Sequence, residues 1–280
     1  MQTDVKKVFY FHADANSLGG YLESPYRVIP SQASVSLPGV GGHASLKTGG
    51  YTHEENVVSC SSCYTHVAGQ HVKTNGPWKA RVTAVAEDIK ILDVLTARRA
   101  VARLFVEHPA DGGPPKVSFA GSYIHDLRFR DKEVALNFNS TLLPEHQRGC
   151  DVYNENESFE ADIEWPALWQ SAHTQSAALH ASANAPQWAV GRYGWLDGKQ
   201  SLSGVSCAAC SLLDGMGSVE GTQSYAHFLE VPDIGRFFFA EAMIMPQSIQ
   251  LTMIRAELGC KTQGMASIAS ARNNGSPIPP

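Results

Sequence analysis

Val-Ser-Cys-x-x-Cys occurs twice in this chain, from Val58 through Cys60 to Cys63 and from Val205 through Cys207 to Cys210. Four cysteines in two pairs can support three kinds of chemistry. Cys60, Cys63, Cys207 and Cys210 can hold one zinc ion, because zinc takes four soft ligands in a tetrahedron and Cys-x-x-Cys is the usual half-site. They can form disulfides or a redox pair. They can also be buried thiols, since free cysteine packs as a small hydrophobe. Both copies sit in strand-like runs, Asn56 to Val67 and Gly204 to Leu213. On a strand, residues i and i+3 point to opposite faces, so one pair meets only if its strand bulges. Zinc is the one cofactor these residues suggest. The repeat also suggests two related halves.

A second group is aromatic. Trp165, Trp169, Trp188, Tyr193 and Trp195 crowd one stretch of the chain. Such a cluster can stack on sugar rings, anchor a protein partner, or form a small core. No catalytic set accompanies it. The 11 histidines include no His-x-His pair, and His53 lacks a second His four residues on. Asp14-x-Asn16-x-x-Gly19 echoes a calcium loop, but Pro25 stands where the bidentate Glu belongs. Gly39-x-Gly41-Gly42 lacks the third glycine and the βαβ setting of a dinucleotide site. No Gly-x-Ser-x-Gly elbow is present. Glu230, Asp233 and Glu241 are near one another in sequence, but no two of them stand out as acid and base.

The bulk properties exclude some partners. A net charge of −5, with no basic stripe, offers nothing to displace counterions from phosphates, so no nucleic-acid partner is expected. No apolar run reaches the ~18 residues of a membrane helix. Met1 to Lys7 is polar and opens no signal peptide. The expected setting is therefore the cytoplasm, export by another route, or a shortened chain. Asn139-Ser-Thr141 and Asn156-Glu-Ser158 fit the glycosylation pattern, which matters only in a eukaryotic secretory route.

The elements that position these residues alternate with period two. Val134, Leu136 and Phe138 share one face and Asn137 and Asn139 the other. Ala100, Ala102, Leu104 and Val106 alternate with Val101, Arg103, Phe105 and Glu107; Ile249, Leu251 and Met253 alternate with Gln250 and Thr252. Successive strand side chains point to opposite faces, so these runs read as half-buried strands. Turn signals separate them, among them Asn75-Gly76-Pro77, Gly112-Gly113-Pro114-Pro115 and Asp233-Ile-Gly235. The expected fold is mainly β, a sandwich of antiparallel sheets with a partly helical insertion. The expected divisions are an N-terminal β portion over 1–149, a Trp/Ala-rich insertion over 150–199, a C-terminal β portion over 200–272 packing on the first, and a tail over 273–280. Pro166 to Ser182 reads as the helical part, with Pro in its first turn.

Two stretches carry a resemblance. Val82 to Ala97 leads into an alternating run and then Val117 to Phe129; later, Val231 to Glu241 is followed by Leu251 to Gly259. This order resembles the choice-of-anchor type P β domains of bacterial surface proteins. The resemblance implies a β-rich surface or extracellular module without known catalysis, and it carries no functional residues across. Taken together, these readings point to a non-enzymatic structural or interaction protein, self-associating or binding a protein partner through exposed strand edges. The alternatives are carbohydrate binding or glycan chemistry through the aromatic cluster, and a metal or redox role through the cysteines.

Overall fold

The computed structural model describes residues 8–53, 56–72, 76–148, 161–195, 197–200, 206–259 and 262–278. The alternating runs form two antiparallel sheets that face each other across one core. In chain order come β1 (Val8–Tyr10), β2 (Ala13–Glu23), β3 (Tyr26–Ser36), β4 (Gly42–Thr48), β5 (Tyr51–Thr52), β6 (Val58–Cys60) and β7 (Ser62–His71). A long hairpin follows, β8 (Trp78–Ile91) and β9 (Leu95–His108). The short strands β10 (Lys116–Ser118), β11 (Tyr123–His125), β12 (Arg128–Phe129), β13 (Lys132–Glu133), β14 (Leu136–Phe138) and β15 (Ile163–Glu164) lead to the helices α1 (Trp165–Ala181) and α2 (Gln187–Trp195). The chain then runs through β16 (Asp197–Gln200), β17 (Ser206–Ser211), β18 (Leu213–Met216), β19 (Gln223–Tyr225) and β20 (Phe228–Val231). It closes with β21 (Gly235–Met245), β22 (Ser248–Gly259), β23 (Gln263–Asn273) and β24 (Ser276–Ile278).

The first sheet is built on the β8–β9 hairpin, with β7 and then β4 on one side and β10, β11 and β12 along the far edge of β9. The second runs β16-β17-β21-β22-β23-β2-β3. It crosses the division drawn from the sequence, because β2 and β3 of the 1–149 portion complete the sheet of the C-terminal strands. Within 273–280, expected as a tail or as a stretch packing along the β core, β24 pairs with β1, Val8 opposite Ile278. A Ser17 hydroxyl donates to the Tyr64 carbonyl at 2.9 Å and ties β2 to β7. At one end Phe9 stacks on Trp78, ring centroids 5.1 Å apart. Gly235, at the β20–β21 turn, has φ +140°, and a Cβ there would meet the Glu257 carbonyl oxygen at 2.1 Å. Among the described residues no helix is long and apolar enough to cross a membrane.

The period-two pattern slips along a line in each sheet. In the second sheet Ala33, Ala240 and Ala269 have φ near +50° (47°, 50° and 51°). Thr252 pairs with Ser270 and Ile254 with Ile268, so Met253 and Ala269 are stepped over between them. The same step falls at Ala240 in β21 and between Asn16 and Leu18 in β2. One residue is stepped over on both strands, so the pairing register is kept while the facing of the side chains reverses beyond the step. Leu251 and Met253 point into the core on one side of the slip, and Ile254 and Ala256 on the other. In the first sheet Glu87 pairs with Arg99 and Ile89 with Ala97, stepping over Asp88 and Arg98. Ala84 and Ala86 face the core before this step, and Ile89 and Ile91 after it. Glu87 and Asp88 are therefore both turned out of the core, and so are Arg98 and Arg99 opposite them.

Candidate functional site

The four cysteines do not form one zinc site. Cys60 and Cys63 meet, with sulfurs 3.3 Å apart. The break at Ser61 between β6 and β7 supplies the bulge that the i, i+3 spacing requires. Cys210 packs in the core between the sheets, whereas Cys207 lies against a separate cluster under the helices and beside the Met243 sulfur at 3.4 Å. These two stay on opposite faces of β17, as an unbulged strand demands. Among the described residues no three His, Cys, Asp or Glu side chains gather as a metal site. Each motif strand abuts a long hairpin strand with its second cysteine opposite an alanine, Cys63 facing Ala86 and Cys210 facing Ala242.

Within the close pair the proton is unevenly placed. The hydrogen bond to Cys60 and burial push the Cys63 thiol up. The Cys63 thiol and the Tyr51 backbone draw Cys60 down, against its burial. A disulfide-forming diazene oxidant should therefore convert this pair: two S–H bonds break, one S–S bond forms, and two protons and two electrons pass to the oxidant. The expected result is a loss of two hydrogens by intact mass. It should be absent in Cys60→Ser and unchanged in Cys207→Ser. Equal alkylation of all four cysteines after treatment would contradict this.

The aromatic group separates in the same way. Trp165 is 5% exposed and joins the main core, with Trp169 packed beside it. Trp188 and Tyr193 belong to the cluster under α2. The Trp195 side chain lies outside the described residues, as do residues 150–160 of the insertion and the Asn156 motif. The Arg236 guanidinium covers the Trp188 ring at 3.8 Å, and Phe228 approaches the same ring at 5.0 Å. Its indole nitrogen donates to Glu230 at 3.1 Å. Of the described tryptophans in this group, Trp165 is buried and Trp169 and Trp188 are half-buried, divided between two separate clusters.

Tyr193 is instead part of a buried polar network. Its hydroxyl donates to Glu241 Oε1 at 2.7 Å. That hydroxyl has one proton, so His227 Nε2, at 2.9 Å, is the donor to its oxygen. Arg255 reaches Glu241 Oε2 through Nε at 2.9 Å and Nη2 at 2.6 Å. It also pairs with Glu257 and lies 3.9 Å over the Phe238 ring. Arg192 on α2 grips Glu257 through two bonds, 3.1 and 2.7 Å. Burial alone would raise the Glu241 carboxyl, but His227, Arg255 and Tyr193 outweigh it and hold that carboxyl well below the usual range. Burial and the Glu241 charge raise Tyr193 well above its normal value and push Cys210 up to about 12. A His, a Tyr and a Glu in contact could pass protons, but the adjoining cavity holds about 20 Å³. That admits one water and no substrate. The network fastens the helices to the second sheet.

A roomy polar site lies on the outer face of the first sheet, where the slip collects charge. A groove of about 680 Å³ is floored by Glu87, Asp88, Arg98 and Arg99. Tyr123 and His125 of β11 form one wall, and Phe138 with Arg148 forms the other. Arg99 shares its charge with Glu87 at 3.4 Å and lies 6.0 Å from the Tyr123 ring. Asp88 accepts the Ser61 hydroxyl at 2.7 Å. Arg148 sits 5.3 Å over the Phe138 ring and is held there by the carbonyls of Leu143 and Phe138. In the sequence Arg98-Arg99 stands out only as a small basic patch, too small for a nucleic-acid partner. The signal of the groove was two adjacent charged pairs, Glu87-Asp88 and Arg98-Arg99, breaking the alternation on both arms of one hairpin.

A family model described as Domain of unknown function (DUF8256) matches residues 9–245, ending at the last residue of β21. No curated protein and no solved structure matches the chain.

Proposed function

We propose that this chain, which belongs to the family Domain of unknown function (DUF8256), is a non-enzymatic interaction protein that self-associates through the edge strand β4. The observation that carries this reading is the openness of that edge. β4 hydrogen-bonds only to β7 among the described residues. Its seven residues contain no proline and one charge, Lys47, and Leu46 at its middle is 43% exposed. An unpaired edge is a template for another strand. The neighbouring edge β3 is blunted by contrast, with Pro30 lacking an N–H and a register shift between Gln32 and Ile29. Antiparallel pairing of β4 with β4 uses one patch on both copies and closes as a two-fold dimer. The resemblance to choice-of-anchor β domains supports a place on the outside of a bacterial cell. Native mass spectrometry tests the reading. The expected result is a mass of two chains for the wild type and of one chain for Leu46→Lys, with the thermal melt unchanged. A wild type that stays at one chain across a concentration series would sink it.

A further inference from the structure

We propose that the groove beside β11 binds an acidic saccharide. Its carboxylate would be held by Arg98 and His125, and its hydroxyls by Glu87 and Asp88. Arg98 and His125 are both exposed, and among the described residues neither has a hydrogen bond or ion pair. The groove lining sets three arginines, Arg98, Arg99 and Arg148, against two carboxylates, Glu87 and Asp88, a formal excess of one positive charge, and Arg99 is already paired with Glu87. The whole chain carries −5, which makes this a local feature rather than a share of a general excess. A guanidinium binds a carboxylate strongly because its planar fork matches the two oxygens.

The two carboxylates decide between anions. Each retains spare lone pairs that only a donor can fill. Phosphate carries more negative charge and fewer hydroxyl donors than a uronate oligosaccharide, so Glu87 and Asp88 repel it more strongly and find fewer donors in it. A uronate brings one carboxylate together with several hydroxyls, which suits the mixed floor. Phe138, half-buried beside Arg148, adds apolar surface for the C–H face of a sugar ring. The volume, about 680 Å³, falls in the range of small-molecule sites, roughly 300–1,000 Å³. The site arises because the slip in β8 and β9 sets four consecutive-pair charges on one face. It is independent of the β4 edge.

Titration calorimetry on the full chain tests this. The probes are uronate-bearing oligosaccharides of several sugar types, their neutral counterparts of equal length, and inorganic phosphate. The expected result is binding of at least one uronate series, with the neutral counterpart about tenfold weaker or more, and no displacement by phosphate. Arg98→Gln should weaken the uronate by about tenfold, since one charge-assisted pair is lost. Lys132→Gln, outside the groove, should leave it unchanged. An unaltered melt for Arg98→Gln separates lost binding from lost folding. Three outcomes would overturn the proposal: no uronate binding across the series, equal binding of the neutral sugars, or full displacement by phosphate.

Discussion

Glu241→Gln should lower the unfolding free energy by about 3–5 kcal/mol, measured by urea denaturation at neutral pH. The carboxylate is 7% exposed and compensates Arg255, whose side chain is only 14% exposed. The amide keeps one acceptor oxygen, so either Tyr193 or Arg255 loses its acceptor, and the buried guanidinium is left with Glu257 alone to offset its charge. The loss reflects the stranded charge, not the worth of the pair. Replacing both partners, Glu241→Leu with Arg255→Met, should therefore cost less than Glu241→Gln alone.

The same group shapes the acid limb of stability. The folded Glu241 carboxyl lies below its ordinary value of 4.5. Its stabilisation is complete above that value and drains away as the pH falls through the lower, folded one. His108 adds an earlier loss. Burial lowers it from 6.5 to about 4, against a hydrogen bond that its ring donates to Asn273 Oδ1 and that raises it. The unfolded chain therefore takes up this proton first, and stability falls as the pH drops from 6.5 towards 4. In Glu241→Gln the slope below 4.5 should flatten while the slope above it remains. An unchanged slope below 4.5 would show that the network does not hold the carboxylate.

The second large effect is expected at the slip line. Ala240→Val should cost about 2–6 kcal/mol, from backbone strain of roughly 1–3 and overpacking of roughly 1–3. Ala240 is fully buried with φ at 50°, a region that β-branched residues avoid. Its carbonyl accepts the Leu212 amide at 2.9 Å and the Ser211 hydroxyl at 3.2 Å, so the backbone is held where it is. Ala240→Gly is the control. It relieves the strain while losing one buried methyl, and the two nearly cancel. A valine variant as stable as the glycine variant would mean the bulge moves freely, against the packing around Phe239 and Ile254.

The buried histidine–tyrosine–glutamate contact shows how a functional site is misread from parts. His227, Tyr193 and Glu241 have the types and distances of proton-transfer chemistry. The neighbouring cavity is too small for anything but water, so volume decides and chemistry does not. The charged groove shows the reverse. Its residues are ordinary surface charges in sequence, and they gather in one groove only where the step at Asp88 and Arg98 sets neighbours on one face.

The sequence by itself determined the strands. Alternation is a local property, read over a few residues, so Ala100 to Val106 and Ile249 to Met253 were legible as half-buried β. It also determined the first helix, through Pro166 at the start of an Ala-rich run. It stated the condition for the cysteines, that i and i+3 meet only across a bulge. Only the tertiary structure decided which pair meets that condition. Ser61 lies opposite the slip at Asp88, where its amide and hydroxyl bond the β8 strand, and no comparable break falls between Cys207 and Cys210. The assignment of β2 and β3 to the C-terminal sheet, the dispersal of the tryptophans and the gathering of Glu87, Asp88, Arg98 and Arg99 were settled the same way. Each depends on register between strands far apart in sequence, and a one-residue change of register reverses which face a side chain occupies.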